Sequence, residues 1–170
     1  MLARLKRILR HRWLDESDTR RALPPELLER LARRVAASEQ RHSGEIRIYV
    51  EAGLPTSYLW RDAAPRERAV ALFGKLGVWD TEHNNGVLIY LLLAEHAIEI
   101  VADRGIARHV SPDAWQEVVA HMRELFRAGR FEDGLTQALE EVSALLVRHF
   151  PLTGGEGGNA NELPDEPVLG

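Results

Sequence analysis

VWDTEHNNGVLIYLLL, residues 78–93, decides the fold because it joins a polar loop directly to a continuous apolar run. The run from Val87 to Leu93 is apolar without alternation, which is typical of a central strand covered on both faces. Gly86 permits a sharp backbone turn where the loop enters this strand. We therefore predict helices on both faces of a β-sheet.

Periodic patterns on either side of this stretch predict the other elements. Apolar residues recur at every second position over 46–51 and again over 98–101, which predicts two further strands, the second returning antiparallel as a hairpin. Helical spacing of apolar residues predicts core helices that begin near Pro24, Pro65, Pro112 and Phe131. The predicted fold class is α/β: a three-layer α/β/α sandwich, with a small mixed β-sheet and helices on both faces.

The composition limits the classes of function. The 170 residues include no cysteine, which excludes disulfides, thiolate catalysis and cysteine-ligated zinc and agrees with a reducing compartment. A formal net charge of -4 gives no electrostatic reason to expect nucleic-acid binding. We expect a cytoplasmic monomer with no nucleic-acid partner. If the protein is a peripheral membrane protein, we expect it at the inner face of the membrane.

The first 14 residues form a basic amphipathic pattern. Five lysine and arginine side chains alternate with leucine, isoleucine and Trp13, and helical spacing puts the apolar residues on one side. The segment lacks the apolar core and cleavage site of a signal peptide, and the longest apolar run, residues 87–94, is too short for a transmembrane helix. A helix of this kind has three possible positions: on an anionic membrane surface, on a partner protein, or packed on its own domain. We favour packing on its own domain over peripheral membrane contact.

Changes in composition divide the chain into three segments. Residues 1–21 are interpreted as a basic N-terminal arm, in which residues 15–21 are polar and form a linker or loose turn. Residues 22–151 carry the periodic patterns and form the domain. Residues 152–170 are rich in glycine and acidic residues, so they are predicted to form a flexible tail with too little apolar surface to order itself.

Six short motifs, taken in this order, resemble the TPM-domain family. The resemblance extends over about residues 23–147, and the Asn-Asn-Gly-Val motif is its specific part. The motifs are SGEIRI at 43–48, GVW at 77–79, NNGVLI at 84–89, IEI at 98–100, DRG at 103–105 and FRAGRF at 126–131.

The resemblance implies a mixed sheet between helices, with a polar cleft near the loop that follows the second helix. Some members of the family look like divalent-cation binders, and a plant chloroplast branch has been assigned acid phosphatase activity. Members often occur beside LemA-type membrane proteins, which implies a membrane-associated partner. This chain departs from the common pattern because it lacks the signal peptide and the transmembrane helix that many bacterial members carry.

Five oxygen-bearing side chains are predicted to lie near one end of the sheet. Calcium and magnesium, the cations that such side chains suit, prefer carboxylate and amide oxygens. The alternative is that the Asn-Asn-Gly sequence only builds the turn into the strand, with its amides bonded to loop backbone. The five candidate metal ligands are Asp80, Glu82, Asn84, Asn85 and Asp103.

Other catalytic patterns are missing from the sequence. The seven histidines show no metalloprotease spacing, and the chain has no P-loop, nucleophile elbow or dinucleotide fingerprint. We therefore predict a binding or scaffold module with a divalent-cation site in the loop before the central strand. The alternative is a phosphatase in which a metal held by Asp80, Glu82 and Asp103 polarises a phosphate monoester and activates water.

Overall fold

The computed structural model describes residues 2–152 and 161–170. None of the helices in these ranges is long and apolar enough to cross a membrane. The helices are α1 (Leu2–Trp13), α2 (Glu16–Ala22), α3 (Pro25–Glu39), α4 (Thr56–Trp60), α5 (Pro65–Lys75), α6 (Arg104–Ala107), α7 (Pro112–Arg127) and α8 (Phe131–His149). The strands are β1 (Ile46–Glu51), β2 (Val87–Leu92), β3 (Ala97–Ala102) and β4 (Val168–Leu169).

The four strands form one mixed sheet in the order β3-β2-β1-β4. β1 runs parallel to β2, with Ile48 opposite Ile89, and parallel to β4, with Val50 opposite Leu169. β3 returns antiparallel to β2 as predicted, with Ile100 opposite Ile89. β2 therefore lies inside the sheet, which agrees with its unbroken apolar sequence.

Helices cover both faces of this sheet, so the three-layer α/β/α sandwich is confirmed. On one face, Ile48 and Ile89 belong to a core that includes Phe126 of α7 and Leu146 of α8. On the other face, Tyr90 belongs to a second core with residues of α4 and α5, among them Leu59 and Leu72. Alternate residues of each strand point to opposite faces, so neighbouring strand positions serve the two cores.

Residues 16–22 form helix α2, where the sequence indicated a linker or loose turn. Asp15 caps the helix by accepting a hydrogen bond from the Ser17 N–H, and Asp18 accepts one from the Asp15 N–H. Thr19 is fully buried, so the short helix also packs on the domain. The polar composition of this segment therefore belongs to a capped helix.

The chain also differs from the predicted flexible tail over residues 161–170. Here Val168 and Leu169 form β4, and both side chains pack against the cores from the outer side of β1. The physical reason is that the backbone groups on the outer edge of β1 need hydrogen-bond partners. A short strand can supply these partners even when it carries little apolar surface. The glycine-rich residues 154–158 lie outside the described residues.

Candidate functional site

Backbone hydrogen bonds join the polar loop before β2, residues 80–86, to the start of α6. The carbonyl of Asn84 accepts a hydrogen bond from the Gly105 N–H at 2.7 Å, and the carbonyl of Gly86 accepts one from the Asp103 N–H at 2.9 Å. The Asn85 N–H donates to the Thr81 hydroxyl at 3.1 Å. The loop and Asp103, separate in sequence, thus lie together at one end of the sheet.

The five predicted metal ligands divide into a buried pair and an exposed group. Asn85 is fully buried and Asp103 is 6% exposed. The side chains of Asp80, Glu82 and Asn84 are exposed, at the outer side of the loop. Asn85 and Asp103 are therefore the members of the set that the fold fixes in place.

One oxygen of each buried side chain lacks a hydrogen-bond partner among the described residues. Asn85 donates from Nδ2 to the Ser43 hydroxyl at 3.2 Å, but its Oδ1 has no partner there. Asp103 accepts the Arg104 N–H on Oδ1 at 2.6 Å, while its Oδ2 has none. Because leaving a buried acceptor unpaired costs about 1–3 kcal/mol, both atoms are suited to a cation or a bound water.

No three histidine or carboxylate side chains within residues 2–152 and 161–170 are grouped closely enough to hold a metal ion. The buried members of the predicted set therefore offer a cation one carboxylate oxygen, on Asp103, and one amide oxygen, on Asn85. The remaining ligands of such an ion would have to be neutral oxygens of backbone carbonyls or water.

Backbone conformation also accounts for part of the loop sequence. Asn84 has φ of 51°, a left-handed conformation that asparagine tolerates. A Cβ at Gly86 would overlap the Val78 carbonyl oxygen, and one at Gly105 would overlap the carbonyl of His83. The turn interpretation therefore explains Asn84 and Gly86, whereas it leaves the buried oxygens of Asn85 and Asp103 unexplained.

Helix α1 packs on the domain through its polar side. His11 is buried; its Nδ1 accepts the Leu54 N–H at 2.9 Å, and its Nε2 lies 2.8 Å from the Glu95 carboxylate. Arg7 donates to the carboxylates of Glu95 and Asp62, at 2.6 Å each. Ion pairs and hydrogen bonds with the segments on both sides of α4 and with the segment after β2 therefore hold this helix.

The apolar side of α1 faces away from the domain. Helical spacing puts Leu2, Leu5, Leu9 and Trp13 on one stripe, and these side chains are 77%, 54%, 50% and 84% exposed. Three exposed basic residues, Lys6, Arg10 and Arg12, flank the stripe. The helix does pack on its own domain as we favoured, but the orientation is the reverse of that expected for an amphipathic helix.

Buried charged residues of β1 and its flanks were missed in the sequence. Glu45 is fully buried, and Glu39 and Arg47 are nearly so. Burial raises the pKa of Glu39 to about 8 and raises the pKa of Glu45, in each case against hydrogen bonds from backbone N–H groups that favour the charged form. The available signal was the pair Glu45 and Arg47 inside a segment that reads as a strand.

A second buried charged group lies under α5. Arg68 donates to both carboxylate oxygens of Glu51, with a shortest distance of 2.6 Å, and the Tyr90 hydroxyl donates to Glu51 at 2.8 Å. Burial raises the pKa of Tyr90, which keeps its hydroxyl protonated as a donor. This network joins α5 to β1 and β2, and all its charges are paired.

Comparisons with known proteins agree with this architecture. The sequence model of the TPM domain matches residues 17–145. A search of curated proteins gives no significant match.

Two solved structures are similar to the chain. The NMR structure of the BA42 protein from the psychrophilic bacterium Bizionia argentinensis has a TM-score of 0.75 and 28% identity, covering 87% of this chain and 95% of that one. The solution structure of the N-terminal domain of a protein from P. gingivalis has a TM-score of 0.62 and 20% identity, covering 77% and 82%, and at this identity it shows the fold alone. The chain belongs to the TPM-domain family.

Proposed function

We propose that this protein is a binding module that docks on a negatively charged membrane surface through the outer side of α1. The observation that carries the proposal is the exposed stripe of Leu2, Leu5, Leu9 and Trp13 on a helix whose opposite side is fixed to the domain. An exposed apolar stripe of this kind on a rigid helix marks a surface that is covered in use.

Charge and residue type favour a lipid surface as the occupant. Lys6, Arg10 and Arg12 flank the stripe, and each basic residue near an anionic leaflet contributes about 1 kcal/mol to binding. Trp13 stands at the end of the stripe, and tryptophan prefers the membrane–water boundary. A groove on a membrane protein, such as a LemA-type partner, is the alternative occupant of the same stripe.

The second part of the proposal is a divalent-cation site at the inner side of the polar loop. Its support is two buried oxygens, Asn85 Oδ1 and Asp103 Oδ2, that have no hydrogen-bond partner within residues 2–152 and 161–170 and lie beside a loop whose backbone is fixed by hydrogen bonds. With a single carboxylate, we expect an affinity at the weak end for calcium, in the millimolar range. Asp80 and Glu82 would contribute through water or long-range attraction.

Flotation with lipid vesicles tests the membrane proposal. We expect the full chain to float with vesicles containing phosphatidylserine and to remain free with pure phosphatidylcholine. Leu9→Asp should lower binding at least tenfold, because it places a charge in the buried part of the contact. Val70→Asp on α5 is the matched control, since Leu9 and Val70 are both 50% exposed.

Equal loss of binding in the two variants would contradict the assignment to α1. Binding that is unaffected by salt and by the choice of lipid would also contradict it, because screened attraction to an anionic surface must weaken with ionic strength. No flotation at all, with the fold intact, would favour a protein partner for the stripe.

Amide NMR titration with calcium and then magnesium tests the cation proposal. We expect saturable shifts at residues 80–86 and 103–105, which Asp103→Asn removes and which Asp80→Asn leaves in place. Asp113→Asn, in the first turn of α7, is the control for loss of charge. Shifts that depend on Asp80 and not on Asp103 would move the site to the outer side of the loop.

A metal-assisted phosphatase is the second candidate function, favoured by the fixed carboxylate of Asp103 beside the polar loop. It predicts hydrolysis of p-nitrophenyl phosphate with magnesium and a loss of turnover in Asp103→Asn while the fold is kept. Turnover that persists in that variant would exclude this mechanism.

A further inference from the structure

The outer edge of β1 is occupied by the chain's own segment, residues 161–170. The Gly170 N–H donates to the Val50 carbonyl at 2.9 Å, and the Ala52 N–H donates to the Gly170 carbonyl at 3.1 Å. These bonds continue the short β4 pairing, so the segment fills the place of a fourth strand, parallel to β1.

Two buried charged side chains hold the first half of this segment by its backbone. The Glu45 carboxylate accepts the N–H groups of Glu162 and Leu163 at 3.3 and 3.2 Å. The Arg47 guanidinium donates to the carbonyls of Pro164 and Glu166. These contacts involve backbone N–H and C=O groups, which every peptide has. The same contacts can therefore form with extended peptides of many different sequences.

The segment is a poor occupant of this edge in two respects. Of its ten residues only Pro167 is buried, and its packing on the two cores is confined to the partly buried Leu163, Val168 and Leu169. Its Asp165 also lines one pocket with the carboxyls of Glu39 and Glu45, and its negative charge raises the pKa of both, while Arg47 faces Glu39 and Asp165 with a positive charge. Covalent attachment, which raises the local concentration of a segment to roughly millimolar, compensates for both defects.

We infer that the outer edge of β1 is a peptide-binding site for an extended strand of a partner protein, which segment 161–170 covers until it is displaced. The preferred peptide carries a basic or neutral residue at the position of Asp165, facing Glu39 and Glu45. It also has a residue without a side chain at the position of Gly170, because a Cβ there would overlap the Tyr49 hydroxyl. This inference is independent of membrane docking by α1.

Fluorescence anisotropy with labelled synthetic peptides tests the inference on the full chain. The probes are the sequence of residues 161–170, the same peptide with Asp165→Lys, and a scrambled control. We expect the Asp165→Lys peptide to bind with a Kd at least tenfold below that of the native peptide. The Gly170→Leu variant of the full chain, whose own segment is loosened against Tyr49, should bind both peptides at least fivefold more tightly than the unmodified chain.

Failure of both peptides to bind either form of the chain would overturn the inference, and so would equal binding of the scrambled peptide. Hydrogen exchange of the unmodified chain gives a second test that needs no variant. The amides of Ala52 and Gly170 should exchange at least tenfold faster than that of Val87, which donates to Glu45 inside the sheet. Equal protection would mean that the segment is a permanent strand.

A dimer that becomes monomeric in the Gly170→Leu variant would also overturn the assignment to a partner protein. In that case the occupant of the edge would be the segment of a second copy of this chain.

Discussion

Helix α1 and segment 161–170 are both terminal pieces attached to one domain, yet they are attached in opposite ways. α1 turns charged and polar side chains inward, with His11 and Arg7 bonded to Glu95, and leaves its leucines outside. Segment 161–170 is held through its backbone by charged side chains that belong to the domain. Hydrogen bonds to charged side chains, partly buried for α1 and buried for segment 161–170, therefore contribute to both attachments.

The largest effect on stability is expected at Arg47, which holds segment 161–170. Arg47→Ala removes the donor to two carbonyls and a positive charge that faces Glu39, Asp165 and Glu166. We expect the free energy of unfolding to fall by about 3 kcal/mol in urea titrations. Arg20→Ala, which breaks an exposed pair with Glu16, should cost less than about 0.5 kcal/mol. Equal losses of unfolding free energy in the two variants would mean that the buried Arg47 contributes no more than an exposed arginine.

The next effect concerns α1. His11→Ala leaves the Leu54 N–H without its acceptor and Glu95 without one of its partners, so we expect a loss of about 2 kcal/mol. Amides of α1 should then exchange at near-unprotected rates, while those of β2 stay slow. The adjacent Arg12→Ala is the control, because Arg12 is exposed. Ile8 of α1 is partly buried against the second core, and if α1 stays protected in His11→Ala, this apolar contact is sufficient to hold the helix.

A pH effect distinguishes the attachment of segment 161–170 from that of α1, because segment 161–170 lies over the buried carboxyl of Glu39. The pKa of Glu39 is raised from 4.5 to about 8, so the folded chain binds a proton that the unfolded chain releases. The stabilisation is fully present below about pH 4.5 and is lost as the pH rises towards 8. Between pH 5 and 8 we expect Glu39→Gln to gain roughly 1–3 kcal/mol relative to the unmodified chain.

Urea titrations at the two pH values measure this gain, with Glu29→Gln on the same helix as an exposed control. A constant difference between Glu39→Gln and the unmodified chain from pH 5 to 8 would show that Glu39 keeps an ordinary pKa. The amide exchange of Ala52 should rise over the same pH window, beyond the intrinsic rate, if the charge loosens the segment.

The smallest effect on stability is expected on the outer side of α1. Leu9→Asp touches no core residue, so the free energy of unfolding should change by less than about 0.5 kcal/mol. Vesicle binding should fall at least tenfold in the same variant. A stability loss above 2 kcal/mol would mean that the leucine stripe packs on the domain in solution.

The local elements were predictable because their signals are local. Unbroken apolar sequence identified β2 as the inner strand, and Pro112 identified the start of α7. In the structure the Ser111 hydroxyl caps this helix by accepting the Ala114 N–H. The linker interpretation of residues 15–21 was wrong because a polar composition is shared by loops and capped helices.

The candidate site was only partly readable. The sequence identified five oxygen-bearing side chains, and the fold buries two of them, Asn85 and Asp103, while it exposes the other three. Burial depends on the contact of the loop with α6, which follows in sequence only after the whole β2–β3 hairpin. Nothing in the spacing of Asp80, Glu82 and Asn84 encodes that contact.

By itself the sequence determined the family, the inner strand and the sandwich, because hydrophobic periodicity and turn residues act over a few positions. Only the tertiary structure decided which side of α1 is buried, since the partner of His11 and Arg7 is Glu95, 84 and 88 residues away. The tertiary structure likewise decided that residues 161–170 complete the sheet. Glu45 and Arg47 can bond the backbone of this segment only because the outer edge of β1 lies beside them.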